Sequence, residues 1–249
     1  MKKLLKKIGL KKNDIIYLAS NILPLMIQHN NNKNIPHQII NDILDIIGEN
    51  GTLLLPTFNW DYCAEKKFDI KKTISKCGAL SNIALNREDF SRTKHPIYSF
   101  AVAGKYKNFL CSLNNKSAWG PNSPFDFMYN KKAKNLFIGI DYKDAFTMDH
   151  YFEQKAKVKY RYSKDFTSMY INKFGKKSKK KYSMFVRDKK NCKFTKLDES
   201  LDKILEEKKY LKKIIFKKNI FSFLDIYKTG KIIIKDLKTK KHKYIYPVV

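Results

Sequence analysis

Residues 136–153 read LFIGIDYKDAFTMDHYFE. Leu136–Ile140 is a short apolar run that empties into Asp141, Tyr142, Lys143 and Asp144, the pattern of a buried strand ending in a polar loop. Thr147 stands where an N-cap would, and Met148 to Lys157 contains neither Gly nor Pro, so a helix is predicted there. On that helix His150 and Glu153 are three apart and share a face. A carboxylate so placed can hold the imidazole in one tautomer and raise its basicity, which is half of a general-base device. The same spacing suits a solvated surface pair, so the rest of the chain has to decide between the two.

The chain has 249 residues, 43% of them hydrophobic, enough for a sizeable core. One α/β domain covering 1–249 is expected, with 158–249 as a C-terminal antiparallel and helical elaboration. There is no run of about eighteen apolar residues. The start, MKKLLKKIGLKKND, has neither a long apolar stretch nor a small-residue cleavage site. No transmembrane segment and a cytoplasmic location are therefore expected. Cys63, Cys77, Cys111 and Cys192 form no CxxC pair, which argues against a zinc ribbon or a disulfide framework and for reduced, structural thiols. The formal charge of +29, 52 Lys and Arg against 23 Asp and Glu, would attract phosphate-bearing partners. The lysines are spread along the whole chain, whereas groove readers concentrate Arg where bidentate contacts are made. Specific nucleic-acid binding is thus a less favoured reading, since it explains the charge alone.

Working outward from 136–153, Ile15–Leu18 reads as a first buried strand, with Ser20 at its carboxyl end, where α/β proteins place ligand contacts. From His37 an apolar helical face runs to Gly48 and Gly51. Thr52–Leu55 is a second strand, and the aromatic loop after it carries Thr57, Asn59 and Asp61, the last a carboxylate able to hold a cationic acceptor. Lys71, Lys72 and Thr73 lie in a basic loop before a helix starting near Gly78 or Ser81, a setting suited to phosphates or simply to solvent. Ile97–Ala103 reads as a third strand. The turn-rich stretch Ser117–Pro124, with Trp119 and Ser123, fits a substrate-lining loop or a tight surface turn. Beyond Glu153, strands are predicted over Val158–Phe166 and Ser183–Arg187 around a Lys-rich tip at Gly175–Lys181, then a helix over Leu197–Leu211 and strands over Phe221–Tyr227 and Lys231–Asp236.

Six of these motifs follow one another in a known order: Ser20, LPTF (Leu55–Phe58), GALS (Gly78–Ser81), HPIYSFAVAG (His95–Gly104), GPNSPF (Gly120–Phe125) and T-x-x-H-x-x-E (Thr147, His150, Glu153). In this the chain resembles the aminoglycoside 3-N-acetyltransferase family, whose fold is distinct from that of the GNAT acetyltransferases. The resemblance implies a central mixed sheet flanked by helices and an acyl-CoA-dependent N-acyltransferase, with acetyl-CoA as cofactor and no metal. It places His150 as general base and Glu153 as its support. Cofactor contacts are expected from Ser20, Lys71, Lys72, Thr73, Gly78, Leu80, Ser81, Arg92, His95, Pro96 and Ser99, the hydroxyl of Ser99 being one possible oxyanion donor. Acceptor contacts are expected from Thr57, Asn59, Asp61, Trp119 and Ser123.

Two departures bear on the acceptor. The family commonly has an acidic residue where this chain has Asn82, and His-Ser-Ser where it has Ala19-Ser20-Asn21. FNWD and HYFEQ look more like relatives found with surface-polysaccharide genes. The expected acceptor is therefore an amino sugar, nucleotide-linked and used in polysaccharide biosynthesis, with an aminoglycoside antibiotic as the alternative. The oligomeric state is open, with a dimer as one option.

Overall fold

The structure, a computed structural model, describes residues 1–30, 32–239 and 241–248. In chain order the strands are β1 Ile15–Ser20, β2 Thr52–Pro56, β3 Phe68–Asp69, β4 Ser91–Arg92, β5 Phe100–Gly104, β6 Lys134–Ile138, β7 Arg161–Ile171, β8 Lys177–Arg187, β9 Phe194–Leu197, β10 Leu211–Phe216, β11 Asn219–Asp225 and β12 Ile245–Val248. The helices are α1 Lys2–Ile8, α2 Leu23–Gln28, α3 Ile35–Ile47, α4 Ala79–Leu85, α5 Lys107–Ser112, α6 Pro124–Asn130, α7 Tyr142–Ala145, α8 Met148–Ala156, α9 Glu199–Glu207 and α10 Ile226–Lys238.

Seven strands form a mixed sheet in the order β10-β11-β6-β1-β2-β5-β4. Its centre is parallel, β1 lying between β2 and β6, and both flanks are antiparallel. Alternation along the strands sorts side chains between two cores. Tyr17, Leu54, Phe100 and Phe137 face an aromatic layer with α6, α8 and α10, while Ile16, Leu18, Leu53, Leu55 and Leu136 face α1, α3 and α4. Where β1 and β6 end together the backbones nearly touch. A Cβ on Gly139 would lie 2.1 Å from the Asn21 carbonyl, and its φ of +68° is one that only glycine adopts freely. Beside this sheet, β7 and β8 form a long hairpin with β3 paired to its β7 edge. Among the described residues, no helix is long and apolar enough to cross a membrane.

The mixed sheet with flanking helices agrees with expectation; several boundaries do not. Lys231–Asp236 is helix, inside α10, although Ile232-Ile233-Ile234 is a β-branched run. Ile226, Gly230, Ile233 and Leu237 are buried at helical spacing, and packing of that face on α6 and α8 overrides local β preference. Leu197–Leu211 is helical only over Glu199–Glu207, its ends belonging to β9 and β10. The hairpin tip is at 172–176, so Lys177–Lys181 is strand. Ile97–Ser99 is not in the ladder but runs beside the Thr57 loop, its carbonyls accepting from Thr57 and Asn59 N–H groups. The C-terminal region adds β10 and β11 to the main sheet itself.

Candidate active site

Helix α8 follows the carboxyl end of β6, which Ser20 at the end of β1 faces in register. Thr147 occupies the N-cap position but makes no side-chain cap. Asp149 in the first turn accepts the His150 N–H at 2.6 Å, and its carboxylate also lies 3.0 Å from His150 Nδ1. Glu153, one turn on and fully buried, brings Oε2 to 3.2 Å from the same Nδ1. Its other oxygen accepts the Tyr160 hydroxyl at 3.0 Å. Arg161, at the start of β7, closes the cluster, with Nε 2.9 Å from Glu153 Oε2 and Nη2 3.2 Å from His150 Nδ1. The Nε–H is angled off the carboxylate, so this is an ion pair without a formal hydrogen bond.

The tautomer follows from these partners. Nδ1 faces two carboxylate oxygens, which can only accept, so a proton on Nδ1 satisfies both. Arg161 has other acceptors in the Phe185 carbonyl and the Thr195 hydroxyl. With the proton on Nδ1, Nε2 keeps a free lone pair, and every contact the imidazole ring makes with these polar neighbours falls on Nδ1. Burial opposes ionisation of Glu153, but the His150 hydrogen bond, the Arg161 charge and the Tyr160 hydroxyl outweigh it and hold its carboxyl below the usual range. Asp149 goes the other way, pushed up chiefly by burial.

His150 opens on a cavity of about 470 Å³ bordered by Tyr98, Trp119, Phe146, Asp149 and residues of β8. The Trp119 ring stands edge-on to the imidazole at 5.0 Å, and its buried indole N–H has no partner among the described residues. Lys143, Arg161, Arg187 and Lys189 border the same cavity, against the carboxylates of Asp144 and Asp149. Asp149, His150 and Glu153 also gather three potential ligand atoms within 4.8 Å of one another, a metal-like set. The Arg161 guanidinium, close to both Glu153 and His150, sets a fixed positive charge against any divalent cation there.

The structure brings His150, Glu153 and Trp119 together and disperses the other expected site residues. Ser20 ends β1 close to Gly78, whose Cβ position would be 3.7 Å from the Ser20 carbonyl. Lys71 and Lys72 are exposed on a turn whose N–H groups donate to Asp69. Asp61 is held by Lys76 at 2.6 Å, the chief reason its carboxyl is lowered, with Lys66 at 3.9 Å. Its carboxylate is thus engaged within the protein.

The remaining residues tie the interior. Ser99 and Thr57 share a 2.9 Å hydroxyl pair, and Arg92 donates to Ser99 Oγ and to the Thr57 and Thr73 carbonyls. The Thr73 hydroxyl accepts from Asp69, Asn59 caps the turn at Trp60–Ala64, and Ser123 caps α6. Leu80, Ser81 and Pro96 are buried. His95 is wholly buried, Nδ1 accepting from the Tyr98 N–H, and burial drops it to about 3. Ser99 and Arg92 spend their hydrogen bonds on one another and on the Thr57 and Thr73 carbonyls, away from His150. Asp149, Tyr160 and Arg161 are additions. Neighbours i and i+1 diverge on a helix, which hides Asp149, and only tertiary structure brings Tyr160 and Arg161 to Glu153.

A family model described as aminoglycoside 3-N-acetyltransferase matches residues 27–228. The aminoglycoside N(3′)-acetyltransferase-like protein YokD, SPbeta prophage-derived, of Bacillus subtilis (strain 168) is 24% identical over 174 residues, 61% of this chain and 62% of that protein. Among solved structures, AAC-IIIb in a binary complex with CoASH superposes with a TM-score of 0.79 at 16% identity, covering 96% of this chain and 95% of that one. AAC-VIa bound to sisomicin gives 0.79 at 17% identity, with 96% of each chain covered.

Proposed function

The chain belongs to the aminoglycoside 3-N-acetyltransferase family, and from that premise we propose that it transfers an acetyl group from acetyl-CoA to the amino group of an amino sugar, with His150 as general base. The observation that carries this reading is the imidazole at the edge of a cavity with Nδ1 committed to two carboxylates and Nε2 left for the substrate.

An amine is mostly protonated at neutral pH, so a group that accepts its proton near the working pH is required, and imidazole suits that task. The ammonium form first gives up a proton to solvent; His150 Nε2 then takes a second proton as the neutral nitrogen attacks the acyl carbon, and Glu153 and Asp149 stabilise the imidazolium that forms. Arg161 keeps Glu153 ionised through both states. His150 then returns the proton to the departing sulfur. Acetyl-CoA supplies an activated acyl carbon and a thiolate leaving group. Ser20 and Gly78, side by side at the end of β1, suit the cofactor's amide-bearing arm. Attack is direct: none of the cysteines borders this cavity, and burial raises Cys63 and Cys111 to about 11, far from the thiolate.

For the acceptor, the related proteins named with sisomicin or apramycin favour an aminoglycoside over a polysaccharide precursor. Asp144 offers a carboxylate to its ammonium groups. A nucleotide-linked amino sugar is the second reading, favoured by Lys143, Arg187 and Lys189 around the same cavity. A thiol-release assay with acetyl-CoA against sisomicin, apramycin, free amino sugars and nucleotide-linked amino sugars separates the two. Amine-dependent release that disappears in His150→Ala is expected. Failure of every amine to release thiol would overturn the reading.

A further inference from the structure

A second, larger cavity of about 940 Å³ lies at the β4 edge of the sheet, between α5 and the tip of the β7–β8 hairpin. It is separate from the His150 cavity: Lys180 borders one and Met184 the other, about 13 Å apart along β8 at the usual rise per residue. Lys71, Arg92, Lys94, Lys173 and Lys180 border it, and among the described residues it has no carboxylate in its wall. None of these five cations makes an ion pair among the described residues, although other lysines of the chain find Asp or Glu partners. Bringing such charges together costs free energy that no ion pair among the described residues offsets. Lys94 registers the cost, being pushed down by burial and by the neighbouring Lys180 and Lys173.

Two features mark this as more than a basic surface. Lys94 is fixed in place, Nζ donating to the Ser112 carbonyl at 2.7 Å and to Asn114 Oδ1 at 2.8 Å, which leaves one of its three N–H groups unassigned. Arg92 is nine-tenths buried and locked by three acceptors, so its charge cannot swing away into solvent. Aromatic rings share the wall: Phe90, Tyr170 and Phe174, the last 82% exposed although large and apolar. Lys180 sits over the Tyr170 ring at 4.6 Å and Lys173 over Phe174 at 5.0 Å, so cation and ring are presented as pairs.

We propose that this cavity binds a nucleoside phosphate, its phosphates taken by Lys94, Lys173 and Lys180 and its base laid against Phe174. The volume falls in the range of small-molecule sites, roughly 300–1,000 Å³, and is far more than a bare phosphate would fill. Rings beside cations are what a stacked base with a charged tail requires. The inference does not rest on acyl transfer. The ligand's source is either the nucleotide end of the acetyl-CoA proposed above or a separate nucleotide, and competition distinguishes them.

The test is calorimetric titration of the whole protein with adenosine 3′,5′-bisphosphate, ADP and pyrophosphate at low and high salt. Nucleotide binding that weakens with salt is expected. Lys173→Glu combined with Lys180→Glu, both on the hairpin, should weaken it at least tenfold without lowering the melting temperature. Phe174→Ala should weaken the nucleotides and leave pyrophosphate alone. Displacement by acetyl-CoA would assign the site to the donor's own nucleotide end, and indifference to acetyl-CoA to a separate ligand. Either supports the cavity. No measurable binding, binding unchanged in the double variant, or affinity that grows with the length of a single-stranded oligonucleotide would overturn it.

Discussion

Arg161 Nε lies 2.9 Å from Glu153 Oε2, and the two side chains are only 4% and 0% exposed. A buried pair of this kind adds little over an apolar pair, but removing one partner leaves a charge stranded. Arg161→Met should therefore lower stability by about 3 kcal/mol at neutral pH. The Glu153 carboxyl is held low in the folded state, so its contribution is present above the ordinary carboxylate range and is lost as pH falls through the folded value. The gap between Arg161→Met and the parent in thermal melts should thus narrow in acid. A gap that widens there would contradict the assignment.

His150→Ala should lower kcat by roughly two to four orders of magnitude with acetyl-CoA affinity nearly unchanged. Glu153→Gln should cost less, since the amide still reaches Nδ1 but no longer carries the charge that stabilises the imidazolium formed in the reaction. Near-normal turnover in His150→Ala would place the base elsewhere, and buried His95 is too enclosed to replace it.

Asp149 is pushed up chiefly by burial, so folding disfavours its ionised form. A raised carboxyl stabilises the fold at low pH and loses that contribution as pH rises through the folded value. Asp149→Asn keeps an oxygen for the His150 N–H and removes the buried charge. The variant should melt higher than the parent at pH 7 to 8 and turn over more slowly, because one acceptor facing Nδ1 has lost its charge.

His95 is neutral in the fold, lowered from 6.5 to about 3 by burial. Its contribution is fully present above 6.5 and decreases as pH falls toward 3, because the unfolded chain takes up the proton first. Chemical denaturation from pH 7.5 to 4.5 should show stability decreasing from near pH 6.5, before most carboxylates titrate. In His95→Phe that early slope should vanish, whatever the variant's absolute stability.

Gly230 marks the tight crossing of α10 over α8. A Cβ there would meet Phe152 at 2.6 Å and Tyr129 at 2.7 Å. Gly230→Ala should cost about 1–3 kcal/mol from overpacking. Phe152 adjoins Glu153, so the displaced helix should also lower kcat more than it raises KM for acetyl-CoA, and steady-state kinetics alongside a melt would separate the two effects.

How far the chain could be read before its structure follows from the range of each interaction. His150 and Glu153 were legible because a three-residue helical spacing is local, and β1, β2 and β6 because buried parallel strands are nearly continuous apolar runs. Arg161 was not, since its meeting with Glu153 depends on where β7 packs. Thr57, Arg92 and Ser99 have residue types suited to either a ligand or an interior network. Only their burial tells which. The isoleucines at 232–234 misled for a related reason: local preference indicates a strand, and a helix forms because one face has a partner.

Strand β6, the one that leads to His150, pairs with β1 on one side and with β11 on the other. During synthesis β1 is available long before β11, so for the time needed to translate some eighty further residues β6 presents an open edge of unpaired amides. Such an edge is a template for a neighbouring nascent chain. Ribosome-bound or prematurely terminated products ending before Asn219 should therefore be strong clients of chaperones and prone to insoluble aggregates, and chains extended through Asp225 much less so.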